Sequence, residues 1–455
     1  MYSFTLTSIS PLDGRYHSVL IQLRNIFSEY ALIKFRIKIE LDWFIQLSLI
    51  KQINNLPYFS EKDYKFINNI YNNFNENEAL SIKNIEMKTE HDVKSVEYYI
   101  KSKFSLHDKL KNFKEFIHFG CTSDDINNLS YALMLQKNRR LIILPYWKNI
   151  SFYFKKLSIQ YKNVPLLART HGQPATPSTV GKEFLNFYYR LQRQIKKIKK
   201  IEILGKFNGS TGNYNALSLA YPEIDWQHIS RNFVNSFGFT WNAYTTQIEP
   251  HDYILDFLSC IASFNSILID FNRDMWGYIS LNYFSQKIKK DIIGSSIMPH
   301  KINPINFENS EGNLGLSNAI IYHMNAHLPL SRWQRDLTDS TLLRNLGVIF
   351  GYSVIGYSSL LKGLKKINIQ QDIIKKDLDN HWEILCEGIQ TVMRKYNIKN
   401  SYESLKVLSN HNQIDKKILR NFIMKLNIPK QEKEKLYGLH PSNYIGYASK
   451  IVDFL

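Results

Sequence analysis

At 455 residues the chain exceeds the usual size of a single compact core, and its 44% apolar and 22% charged residues suit a folded globular protein rather than a disordered one. Three cysteines far apart, Cys121, Cys260 and Cys386, exclude a disulfide framework and a Cys-x-x-Cys zinc site, which fits a reducing cytoplasm. A net charge of +18 raises the question of a nucleic-acid partner, but Lys and Arg are scattered among Ile, Asn and Tyr as compositional drift would scatter them, so no nucleic acid is expected, and some of the charge would attract a small anionic substrate.

Taken in chain order, Met1 to Pro11 lacks a basic segment followed by a long apolar run, so no secretory signal is expected and the mature chain is expected to start there. Thr89-Glu90-His91-Asp92 fits the pattern Ser/Thr-x-x-Asp/Glu and predicts a helix capped by Thr89, with His91 in its first turn. Thr122-Ser123-Asp124-Asp125 predicts a second start, for a segment running to Leu144, with Pro145 as a kink or break before the next helix. Arg169-Thr-His-Gly-Gln-Pro174 reads as a loop feeding a helix whose cap is Thr176, with Pro177 at the first helical position.

Along that helix Phe184, Tyr188, Leu191, Ile195 and Ile198 recur at four- and three-residue steps, which lines one apolar stripe. The basic run Lys196, Lys197, Lys199 and Lys200 leaves the stripe intact and reads as a solvated face. Phe257, Ile261, Phe264, Leu268, Phe271, Met275 and Tyr278 repeat the spacing. The uncharged stretch inside Tyr253 to Phe271, bracketed by Asp256 and Asp270, is expected to be too short for a membrane span, so no membrane partner is expected. Asn303-Pro304 predicts a further capped start.

These patterns predict an all-α fold: an N-terminal helical domain over 1–109, a central bundle of long antiparallel helices over 110–364, and a C-terminal helical domain over 365–455 entered through Lys365 to Gln371. Neither internal repeats nor a βαβ alternation is present in the pattern, which excludes a nucleotide fold built on a parallel sheet.

Each helix start presents unpaired N–H groups and the positive end of a dipole, so several brought together would hold a carboxylate or a phosphate. Ordinary capping explains any one of them alone. The short Gly- and Pro-bearing loops nearby add His171, Ser295, Ser296, Lys301 and Asn303, which are reactive or anion-binding types held away from a packed core.

The run Gly294-Ser295-Ser296-Ile297-Met298-Pro299-His300-Lys301-Ile302-Asn303-Pro304 matches the G-S-S-x-M-P-x-K-x-N-P motif without departure, and the chain thereby resembles the fumarase, aspartase and argininosuccinate lyase superfamily. Arg169-Thr-His171-Gly-Gln-Pro, the His91-Asp92 pair and Cys121-Thr-Ser-Asp-Asp-Ile-Asn-Asn128 are similar to the bacterial adenylosuccinate lyase branch, and the likeness runs from Ser10 to the carboxy terminus. The resemblance implies three helical domains, a homotetramer with a twenty-helix core and active sites shared between subunits, and elimination of fumarate from a succinylated purine nucleotide.

It further implies Ser295 as the base that takes the proton next to a carboxylate and His171 as the acid that protonates the departing amine. A serine hydroxyl is a poor base, so its alkoxide needs nearby positive charge or N–H donors and a dry site. Lys301, Asn303, Thr122 and Ser123 would hold the carboxylate as its charge grows, with Ser296 beside them. Arg15, Tyr16, Arg335, Ser340 and Arg344 would surround the phosphate, for which the arginine fork is suited. Glu90, His91, Asp92, Gln247 and Asn309 would contact the rest of the substrate. His91 is a rival for the acid, and Arg335 reads equally well as a helix-surface pair with Asp339. No metal ligand pattern appears and no cofactor is expected. A sibling lyase with another leaving group would lack the phosphate set, and a basic nucleic-acid binder would have charge alone.

Overall fold

The computed structural model describes residues 6–287, 298, 301–409 and 414–454. Helix accounts for 67% of it and strand for 4%, so the all-α reading holds. The long apolar patterns become the helices Val180–Lys200, Asp252–Ser280, Ile305–His327 and Leu346–Lys366, the second of them 29 residues long. In the first, Phe184, Leu191, Ile195 and Ile198 are buried, Tyr188 is half-buried, and the four lysines are exposed. In the second, Phe257, Ile261, Phe264, Leu268, Phe271 and Met275 are all buried.

One expectation about that second helix is corrected. Asp252–Ser280 is long and apolar enough to cross a membrane by length and composition, because Asp256 and Asp270 bracket the stretch without ending the helix. Of its most apolar 18-residue window, 61% is buried within the fold, as a core helix requires.

The helix starts also differ in detail. Thr122 caps Ser123–Asn138, which passes through a π-helical turn, Arg139–Ile143, into Leu144–Gln160. The break foreseen at Pro145 is thus a widened turn just before the proline, which makes room for a ring that cannot donate to the preceding turn. Thr176-Pro177 does not start a helix. Ser178–Thr179 pairs antiparallel with Pro165–Leu166, and Thr179 Oγ1 then accepts from Lys182 N at 3.2 Å. Strand pairing takes the residues that the capping pattern claimed. The last long start shifts by one residue, since Phe307 N and Glu308 N donate to the carbonyl of Pro304 rather than of Asn303.

The chain forms two compact units, one of Met1–Tyr146, Gln194–Ser266 and Gly312–Ser358, the other of Trp147–Arg193, Ile267–Glu311 and Ser359–Leu455. Within the first, buried Trp43 packs on Phe207 with ring centroids 4.2 Å apart and donates Nε1 to Phe119 O. A polar knot aligns its long segments: Asn265 Nδ2 contacts Asn318 Oδ1 and Ser353 Oγ, while Tyr357 Oη donates to Asn265 Oδ1 at 2.6 Å. Satisfied networks of this kind fix one register among helices that apolar packing alone would let slide.

Within the second, Phe154, Phe184 and Phe187 converge on Phe271, the nearest ring 4.5 Å away. A separate apolar cluster joins Leu378, Leu385, Ile389, Met393, Leu419 and Ile423 near the carboxy terminus. Gly181 brings two segments of this unit together: its N–H donates to Tyr161 O, and its carbonyl accepts from Ser158 Oγ at 2.8 Å. A Cβ there would lie 2.4 Å from Ser158 O and 2.5 Å from Lys162 Cα. Gly181→Ala is therefore expected to lower stability by roughly 1–3 kcal/mol through overpacking. Urea unfolding checks it, and an unchanged midpoint would show that the backbone can yield.

Candidate functional site

Thr122 and Ser123, foreseen as a helix start that grips a carboxylate, are set by a buried ion pair one turn on. Asp125 and Lys206 are both fully buried, with Nζ 2.9 Å from Oδ1. Asp125 also accepts from the backbone N–H groups of Thr122, Asn208 and Gly209 at 2.9 to 3.1 Å. Asn128, one turn further, exchanges two bonds with the backbone of Lys206. The helix start is thereby locked to the loop Lys206 to Gly212. That loop carries positive φ at Gly209 and Gly212, and a Cβ at Gly212 would lie 2.3 Å from Thr245 O. Burial pushes the thiol of Cys121 beside it well above its ordinary range, which disfavours the thiolate.

The same unit places His91 differently from the expectation. Thr89 closes the helix Glu76–Thr89 instead of opening one, Glu90 follows in the left-handed region with φ 50°, and His91 is itself the cap of Asp92–Phe104. Its Nδ1 accepts from Lys94 N at 3.2 Å, which leaves the ring N–H on Nε2 of an exposed side chain. Asp92 takes Arg36 at 2.7 Å and Arg344 at 2.9 Å on one oxygen, and Arg36 Nε donates to Asn127 Oδ1. Burial opposes ionisation of Asp92, yet Arg36 foremost and Arg344 after it hold the carboxyl down at about 2. Two guanidiniums around one carboxylate leave a net positive charge beside His91.

Gln247, expected on the body of a substrate, and Arg335, expected at its phosphate, meet in this unit. Arg335 Nη1 donates to Gln247 Oε1 at 3.3 Å, and Gln247 Nε2 donates to Ser210 O in the Lys206 to Gly212 loop. Arg335 does approach Asp339, at 3.8 Å, but from the loop before the helix Thr338–Leu343, so the helix-surface pair is corrected to a loop contact. Ser340 N donates to the same carboxylate at 2.7 Å. Arg15 is exposed in an amino-terminal turn and Tyr16 beside it is half-buried.

Beneath these residues lies His251, which no motif singled out. It is buried, with positive φ, and faces Asp339 at 3.4 Å and Glu249 at 3.6 Å. Burial opposes its charge, but Asp339 and Glu249 outweigh that and raise its pKa to about 9. Asp124, close by, has its pKa raised by burial. The sequence signal was there in Gln-Ile-Glu-Pro-His, where a histidine follows an acid and a proline, though nothing local says that it is buried.

The second unit holds His171. Arg169–Thr170 and Gln173–Pro174 form an antiparallel hairpin, and His171 and Gly172 are its two turn residues with φ of 52° and 76°. Two successive positive φ values make a type I′ turn, which favours Asn or Gly at the place histidine takes. The imidazole is exposed and makes no hydrogen bond to another described residue. The predicted loop is thus a hairpin with the candidate acid at its tip. At its base Arg169 donates to Tyr283 Oη at 2.8 Å and to Asp377 Oδ2 at 2.6 Å.

Asn309 in this unit donates to Ser359 Oγ at 2.6 Å. Lys301 is exposed, with its N–H on Met298 O, and Asn303 is half-buried. Ser295 and Ser296 lie outside the described residues. Among the described residues no group of three or more His, Cys, Asp or Glu side chains could hold a metal ion.

Comparison with known proteins follows the same lines. A family model described as lyase matches residues 14–319, and one described as adenylosuccinate lyase C-terminal matches 331–445. The chain is 58% identical to adenylosuccinate lyase of Buchnera aphidicola subsp. Schizaphis graminum, over 99% of this chain and 98% of that one. It is 53% identical to adenylosuccinate lyase of Escherichia coli K12, over 99% of each. Among solved structures, fumarate lyase from Mesorhizobium sp. BNC1 matches with a TM-score of 0.76 at 15% identity, over 95% of this chain and 97% of that one, which is a likeness of fold.

The His251 cluster predicts a pH dependence. A pKa raised from 6.5 to about 9 on folding contributes stability that is fully present below pH 6.5 and is lost as pH rises through 9. His251→Gln is expected to remove that part of the alkaline decline in thermal midpoint while leaving the acid limb unchanged. An identical slope between pH 6 and 9 in both proteins would mean that His251 is neutral in the fold.

Proposed function

The chain belongs to the adenylosuccinate lyase family and is a carbon–nitrogen lyase, and on that premise we propose that His171 and Ser295 carry the elimination of fumarate from adenylosuccinate to leave AMP. The observation that carries this reading is the imidazole held out at the tip of a strained hairpin, with no described partner competing for its proton. A positive φ on a residue that does not favour it costs about 1–3 kcal/mol and persists where the surroundings enforce it, as in catalytic sites.

In the proposed reaction Ser295 removes the proton from the succinyl carbon next to a carboxylate. The electron pair forms the double bond of fumarate as the bond to the purine nitrogen breaks, and His171 delivers a proton to that nitrogen. The developing charge on the carboxylate is met by the hydroxyls of Thr122 and Ser123 and the free N–H groups of the helix start after Thr122, whose own N–H is taken by Asp125, with Lys301, Asn303 and Ser296. Asp125 serves this indirectly, since it fixes the helix start that aims those donors.

Arg344, Arg335, Ser340, Arg15 and Tyr16 are proposed to take the phosphate, and Glu90, His91, Asp92, Gln247 and Asn309 the remaining groups. Asp92 keeps Arg344 and Arg36 at fixed positions, so a phosphate arriving there meets a preset guanidinium. The succinylated aminoimidazole carboxamide nucleotide, which presents the same succinyl amine and phosphate, is proposed as a second substrate. A cytoplasmic homotetramer with sites shared between subunits, and a division into domains at 1–109, 110–364 and 365–455, complete the proposal.

The fall or rise of purine ultraviolet absorbance on cleavage provides the assay and separates this substrate from argininosuccinate. Ser295→Ala and His171→Ala are each expected to lower kcat by roughly three orders of magnitude or more, with KM little changed, as befits groups used only in the chemical step. Near-normal turnover in either variant removes that residue from its role. Active monomers on dilution would argue against shared sites.

A further inference from the structure

A hairpin with two residues in each strand cannot hold its own shape in water, because two cross-strand pairs do not offset the conformational entropy of ordering it. The hairpin that presents His171 is of that size and carries a turn residue that does not favour its conformation. Something outside it must fix it. The base of the hairpin supplies the means: Arg169, two residues before His171, sends Nη2 to Asp377 Oδ2 at 2.6 Å and Nη1 to Tyr283 Oη at 2.8 Å. The Tyr283 hydroxyl donates in turn to the same oxygen of Asp377, closing a ring of three side chains.

The two partners sit on two chain segments that pair with each other. Tyr283 precedes the strand Phe284–Gln286, which pairs antiparallel with Ile367–Ile369, and Gln370 N donates to Tyr283 O at 2.9 Å. The strand Ile367–Ile369 runs directly into the helix Gln371–Asp379, which carries Asp377 near its end. Tyr283 is buried, its ring stacked on Tyr278 with centroids 6.0 Å apart. His381 approaches the other oxygen of Asp377 at 3.7 Å. Burial pushes the Tyr283 hydroxyl up to about 12, so it stays protonated as a donor, and Tyr283 and Arg169 hold Asp377 ionised against its burial.

We propose that Arg169, Tyr283 and Asp377 form a positioning node that holds the hairpin tip, and so the His171 imidazole, where it can deliver its proton. The proposal rests on the assignment of His171 as the acid. In this role each of the three acts through the geometry of the hairpin and not on the substrate. A displacement of the acid by about 1 Å is enough to cost on the order of a hundredfold in rate.

The test uses the full-length enzyme with Asp377→Asn, which keeps shape and removes charge, and Tyr283→Phe, which keeps the stacked ring and removes the hydroxyl. Each is expected to lower kcat by roughly 10- to 100-fold with KM within about threefold. In a His171→Ala background neither is expected to lower kcat further, because the group being positioned is gone. Multiplicative losses in the double variants, or no loss in the singles, overturn the node while leaving the acid assignment standing. Near-normal turnover in His171→Ala alone overturns the acid assignment and the node with it. Should Asp377→Asn fail to fold, the Tyr283→Phe cycle decides alone.

Discussion

The buried carboxylate of Asp125 is the constraint on which the amino-terminal side of the proposed site depends. Two fully buried charges are costly to desolvate, and their attraction offsets that only where the remaining lone pairs are also satisfied. Asp125 meets the condition, with the Lys206 ammonium and three backbone N–H groups on its two oxygens. Removing one partner of such a pair costs about 3–5 kcal/mol. The consequence is geometric as much as energetic. The Thr122-Ser123 helix start and the Lys206 to Gly212 loop become one body, and through Ser210 O that body extends to Gln247 and Arg335.

A second device recurs across the structure, in which a side chain proposed to meet substrate is held by a charged neighbour. Arg36 braces Asp92, and Asp92 braces Arg344. His251 braces Asp339, which in turn receives Ser340 N and faces Arg335. Side chains fixed in this way lose little freedom on binding, so more of each contact's energy is available for stabilising the transition state.

Much of this was legible in the sequence, and the part that was not has a common cause. Long stripes such as Phe257 to Met275 announce buried helices because period and length are local properties. The glycine- and proline-bearing segments around His171 and Asn303 stood out as candidate sites for the same reason. Caps were less secure, since Thr89 and Thr176 fit the pattern of a start yet one closes a helix and the other precedes a strand. Two-residue strands carry too little periodicity to be seen, and the pairing of 178–179 with 165–166 is a tertiary event. His251, Arg36, Tyr283 and Asp377 were missed because their significance lies in distant partners: Asp92 is 56 residues from Arg36, Asp339 is 88 from His251, and Asp377 is 94 from Tyr283 and 208 from Arg169. No window along the chain contains both members of any of these pairs.

The most direct measurement is a structure of the Ser295→Ala variant with adenylosuccinate bound. The account predicts a His171 ring nitrogen within about 3.2 Å of the purine nitrogen to be released, with residue 295 on the succinyl group's proton-bearing side. A His171 imidazole directed away from that nitrogen in every occupied site would contradict it.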